Sequence, residues 1–86
     1  MTKHELKQKA KGLLPLLRIG KNGITENQIK EIKKLLQKKK LVKIKLLKSF
    51  IEPTKKKRKE IARDLAKKTD SELVDLTGFV IVLYKG

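Results

Sequence analysis

The chain has no cysteine and no tryptophan, one histidine, two prolines, and only two phenylalanines and one tyrosine among its aromatics. The absence of cysteine excludes a disulfide, a thiolate nucleophile and a zinc-thiolate centre, and nothing points to an oxidising compartment. A cytoplasmic location is expected. His4 stands alone in a polar stretch, with no second histidine or carboxylate trio placed to complete a metal centre or a catalytic triad. It reads as a solvated surface residue, and neither a metal nor another cofactor is expected. Acidic residues are few, nine in all. Asp64, Asp70, Asp75 and the glutamates are scattered among lysines, as local salt-bridge partners are, rather than paired for acid-base work. The sequence therefore offers no enzyme chemistry.

Long apolar runs are missing too. The longest, "FVIVLY", is far short of a membrane span, and the opening "MTKHELKQKAKG" is charged throughout, unlike a signal peptide. No membrane partner is expected. Neither G-x-x-x-x-G-K-[ST] nor G-x-G-x-x-G occurs, so mononucleotide chemistry is unsupported. Three aromatics are too few for a base-stacking platform; Phe50 is the one candidate. At 86 residues the chain reads as a single domain over 1–86. A domain of this size buries about 60–65% of its unfolded surface, so its function belongs on the surface rather than in a deep pocket.

What is abundant is positive charge. Twenty-four Lys and Arg leave a formal net charge of +15, far beyond the needs of solubility, and imply an anionic partner. A coat of charge selected for heat stability is the alternative, but that pattern enriches acidic residues alongside lysine. Only Arg18, Arg58 and Arg63 are arginine. Lysine acts as a point charge on phosphate rather than as a planar fork on a base edge, which favours backbone contact.

The hydrophobic spacing orders the chain. Leu6, Ala10, Leu13 and Leu14 form a helical stripe before Pro15, and "PLLRIG" is a short strand ending at Gly20. Ile29, Ile32, Leu35 and Leu36 lie on one side of a second helix, with Lys30, Lys33, Lys34, Gln37 and Lys38 on the other. Thr25 and Gln28 make a capping box that starts this helix at about Glu26. "LVKIKLLKSF" alternates as a half-buried strand, with Val42, Ile44 and Leu46 inward and Lys43 and Lys45 offered to solvent or a partner. Ile61, Ala62, Leu65 and Ala66 mark a third helix, with Pro53 in its lead-in. "SELVDLTG" and "FVIVLYKG" form a terminal hairpin. The order α-β-α-β-α-β-β predicts an α/β fold, an open sandwich with a four-stranded mixed sheet. A steady strand order across the sheet would put the second and third helices on one face.

"GKNG", residues 20–23, joins the first strand to the second helix. Asn-Gly alone suits a hairpin turn, but a capped helix follows, so the segment reads as a strand-to-helix loop. Helix N-termini attract anions, and glycines let a phosphate approach without meeting a Cβ. Lys21 adds a cation at the rim, and Asn22 a side-chain amide. Two glycines at this spacing also serve plain turns, and it is the surrounding lysines that favour a phosphate seat. "KKKRKE", with Lys55, Lys56, Lys57 and Arg58, is either a second phosphate strip or the solvated start of the third helix. Cations there oppose the helix dipole, a cost that bound phosphate would offset.

"LLPLLRIGKNGIT" with its amphipathic helix, "LVKIKLL" and the closing "IARDLAKKTDSELVDLTGFVIVLYKG" together resemble the CRM domain of the single-domain YhbY-like proteins. The resemblance covers nearly the whole chain. It implies an RNA-binding module with a fold similar to the C-terminal domain of translation initiation factor three. It further implies association with precursor RNA of the large ribosomal subunit, with the G-x-x-G loop on the RNA backbone; separately, a monomer is expected. Phe79 and Lys85 stand where relatives often carry lysine and arginine. The candidate RNA-binding residues are Gly20, Lys21, Asn22, Gly23, Thr25, Lys30, Lys33, Lys34, Lys38, Lys55, Lys56, Lys57 and Arg58. The rival readings are a small basic DNA-coating chromatin protein and a structural ribosomal protein.

Overall fold

The computed structural model describes residues 2–20, 24–47 and 58–85. Among these residues three helices, α1 (Lys3–Lys11), α2 (Glu26–Lys39) and α3 (Arg58–Lys68), alternate with strands β1 (Leu17–Ile19) and β2 (Leu41–Leu46) before the hairpin β3 (Glu72–Thr77) and β4 (Val80–Tyr84). Pro53 and Phe50 lie outside the described residues.

Local chemistry sets each boundary. Thr2 caps α1 by accepting from the Glu5 N–H at 3.2 Å, and Thr25 caps α2 in the same way through Gln28. The C-terminus of α3 is closed by a Schellman motif in which the Ser71 N–H donates to the Ala66 carbonyl and the Asp70 N–H to that of Lys67. Asp70 takes the left-handed position with φ 53°. In the terminal hairpin Thr77 pairs with Val80, leaving Gly78 and Phe79 as a two-residue loop. Gly78 supplies the positive φ, +59°, that the first central position of a type II′ turn requires.

The strands form one mixed sheet in the order β1-β2-β4-β3. β1 runs parallel to β2, and β4 is antiparallel to both of its neighbours. The strand order is therefore not the steady progression that would put β3 beside β2: the hairpin folds back and inserts β4 between them. β3 still runs parallel to β2, and α2 and α3 do share a face.

That face is the main core. Ile19, Val42, Ile44, Leu46, Ile81 and Leu83 from the sheet meet Ile32 and Leu36 of α2 and Ile61, Ala62, Leu65 and Ala66 of α3. Ile32 and Leu36 are wholly buried, so truncating either to alanine costs about 2–5 kcal/mol. On the other face α1 sets Leu6 and Ala10 against Leu41, Val74 and Val82. A bulge in β3 helps here. Leu73 pairs with Leu83 and Asp75 with Val82, which leaves Val74 as the extra residue. Val74 and Asp75 then both face α1, the first in its apolar contact and the second 4.0 Å from Lys7.

Two expectations are corrected on this face. Leu13 and Leu14 do not continue the α1 stripe: the helix stops at Lys11, and these leucines are 40% and 82% exposed. Pro15 disfavours helix at the residue before it. Nor is Lys43 free for a partner. Its ammonium donates to the carbonyls of Ala10 and Leu13, each at 3.2 Å, and so fastens the end of α1 to the sheet. A cation here also complements the negative end of the helix.

Two stability predictions arise. Lys43→Met should lower the free energy of urea unfolding by about 1–2 kcal/mol and speed amide exchange in α1 more than in α2. Asp70→Gly should raise stability by about 0.5–1 kcal/mol, seen as a higher melting temperature, because glycine takes the left-handed conformation without a steric cost.

Candidate functional site

The parallel pairing of β1 with β2 aligns their carboxyl ends, with Ile19 opposite Leu46 and the Leu47 N–H donating to the Ile19 carbonyl at 2.8 Å. Gly20 follows at once, and α2 begins six residues later. At the same end the Leu46 N–H donates to the Phe79 carbonyl in the β3–β4 turn. Arg58, the first residue of α3, donates to the Gly78 carbonyl and lies over the Phe79 ring, 5.2 Å from its centroid. One end of the sheet thus gathers Gly20, the hairpin turn and the starts of two helices. Carboxyl ends of parallel strands are where open α/β sheets bind their ligands.

The start of α2 is chemically specific. Its capping box engages the N–H groups of Thr25 and Gln28, at 3.4 and 3.2 Å from side-chain oxygens. An anion arriving at this end would be met by the next donors, those of Glu26 and Asn27. Glu26 is exposed in the first turn, where its carboxylate suits the helix dipole and competes with an incoming anion.

Further along α2, Lys30, Lys33, Lys34 and Lys38 are all exposed and line one shallow depression, whose rim includes Asn27, Glu31 and Gln37. The opposite side of the helix carries the buried Ile32 and Leu36, so the apolar stripe that anchors α2 is what aims its lysines outward. Their positive field is opposed on this face by Glu31.

The candidate residues divide accordingly. Gly20, Thr25 and the four lysines fall along one continuous stretch from the sheet end over α2. Arg58 sits at the same end but is already held by the Gly78 carbonyl and Phe79. Lys21, Asn22, Gly23, Lys55, Lys56 and Lys57 lie outside the described residues. Phe79 is half-buried against the core, and Lys85 pairs with Asp70 at 3.6 Å. Among the described residues no three His, Asp or Glu side chains are grouped to hold a metal, and no helix is long and apolar enough to cross a membrane.

The sequence offered Lys45 to solvent or a partner but did not bring it together with Arg18. Arg18 and Lys45 are register partners on β1 and β2, both exposed, on the sheet face opposite α2. The signal was present in the alternation of both strands, which sends Leu17 and Ile19 on one and Ile44 and Leu46 on the other inward, but pairing across strands cannot be read from either segment alone.

The sequence matches the CRS1 / YhbY (CRM) domain over residues 1–85. The Probable RNA-binding protein YqeI of Bacillus subtilis (strain 168) is 36% identical over 83 residues, covering 96% of this chain and 82% of that one. The Probable RNA-binding protein MJ0652 of Methanocaldococcus jannaschii is 37% identical over 83 residues, 96% of this chain and 60% of its relative. Among solved structures, that of the hypothetical protein SAV1595 from Staphylococcus aureus, described as a candidate RNA-binding protein, matches with a TM-score of 0.76. It is 37% identical, and the match covers 98% of this chain and 83% of that one. A family match along nearly the full length, on a chain whose seven elements among the described residues follow the order its motifs implied, places this protein in the CRS1/YhbY (CRM) domain family.

Proposed function

We propose that this chain is a non-enzymatic RNA-binding protein that docks structured precursor RNA of the large ribosomal subunit. The observation that carries this reading is the run of Gly20, the α2 start and four outward lysines that leads from the carboxyl end of β1 along α2. It is supported by relatives that are named as RNA-binding. In this reading the 20–23 loop and the N–H groups of Glu26 and Asn27 seat one backbone phosphate, and Lys30, Lys33, Lys34 and Lys38 track the following ones. Lys55, Lys56, Lys57 and Arg58 extend the contact from the second helix start. Lysines and amides carry little base information, so selectivity comes from RNA shape and 2′-hydroxyls. The protein acts as a monomer, since a surface of such high like charge opposes self-association.

Two experiments test the reading. With about six phosphates neutralised, log K for a transcribed domain of large-subunit ribosomal RNA should fall against log salt with a slope of roughly −4 to −5. Duplex DNA should compete poorly; equal or better competition would transfer the reading to a DNA-coating protein. Changing Gly20 and Gly23 to Asp should abolish RNA binding while cooperative thermal unfolding persists. Undiminished affinity in that variant would remove the loop from the site.

A further inference from the structure

We infer that the face of the sheet opposite α2 holds a second phosphate-backbone site, built on Arg18 and Lys45, so that RNA straddles the carboxyl end of β1 and β2. This rests on the RNA-binding reading and extends it to a surface on the other side of the sheet.

The first ground is the pairing itself. Arg18 and Lys45 are in register on adjacent parallel strands, whose backbones run about 4.8 Å apart. Like charges set side by side across strands destabilise a sheet, yet both side chains are exposed and within 4.0 Å of no carboxylate among the described residues. An anion between them would turn this repulsion into a bidentate grip, for which the arginine fork is suited.

The second ground is what surrounds them. The same cross-strand row continues through Val80 to Thr77, both at least partly exposed. α1 covers only the neighbouring part of this face, around Leu41, Val74 and Val82. The cations beside the row are differently placed: Lys43 is held by carbonyls of Ala10 and Leu13, and Lys7 stands 4.0 Å from Asp75. Of the acidic strand residues on this face, Glu72 stands 3.9 Å from Lys3 of α1 at the far end of β3, and Asp75 lies two strands from Lys45 and accepts from the Leu76 N–H and the Thr77 hydroxyl.

The third ground is continuity. Arg18 is two residues before Gly20, and Lys45 is next to the last residue of β2. An RNA backbone passing Gly20 therefore meets these two cations one strand residue away, on the side that the α2 lysines do not serve.

The test compares three proteins on the same ribosomal RNA domain: the parent, R18Q/K45Q, and K39Q/K67Q. The last removes the same charge from exposed positions at the far ends of α2 and α3. R18Q/K45Q should flatten the log K against log salt slope by about 1.5–2, with affinity lowered on the order of tenfold, while K39Q/K67Q changes the slope by well under 1. R18Q/K45Q should also melt no lower than the parent, since relieving the repulsion offsets lost side-chain packing. Equal slopes in the two variants would overturn the second site and leave the RNA reading intact. A parent that fails to bind the RNA would sink both.

Discussion

Burial of Val42, Ile44 and Leu46 against α2 and α3 fixes β2 in a register that cannot slip. A shift of one residue would turn Lys43 and Lys45 into the core and expose three large apolar side chains. Because β2 is hydrogen-bonded to both β1 and β4, its register is passed to the whole sheet. It decides where β1 ends, and hence where Gly20 lies. It also decides which lysines face α1, which face solvent, and that Arg18 and Lys45 stand side by side.

The two faces of the sheet then divide the work. One takes the apolar stripes of α2 and α3 and supplies most of the core; the other takes α1 through a smaller cluster and a lysine clasp. In the proposed reading the functional charge begins where parallel strands stop and α2 starts, where main-chain dipoles favour an anion, and continues along the exposed lysines of α2. The chain belongs to the CRM domain family, and relatives in that family are named as RNA-binding.

Much of this was legible from local chemistry. Thr25 and Gln28 announced the start of α2 because a capping box joins residues three apart, and β2 announced itself by its alternation. The α2 lysine face followed from the same spacing that defines its buried side. What escaped is what depends on distant partners. Lys43 looks solvent-facing in sequence because its acceptors are the backbone carbonyls of Ala10 and Leu13, in and just past the last turn of α1 and at least thirty residues away. The insertion of β4 between β2 and β3, and the bulge at Val74, are decided by pairing across the sheet rather than by any one strand. Leu13 and Leu14 fit the helical stripe, yet Pro15 ends it before they join.

A single residue, Lys40, joins α2 to β2. It adopts φ 68°, its N–H donates to the Leu36 carbonyl, and its own carbonyl accepts from Lys85. A joint this short, bonded on both sides, leaves no slack between helix and sheet. The backbone that carries the α2 lysines is thus preorganised, so in the proposed reading a polyanion settling there orders lysine side chains alone, and no affinity is lost in fixing the helix.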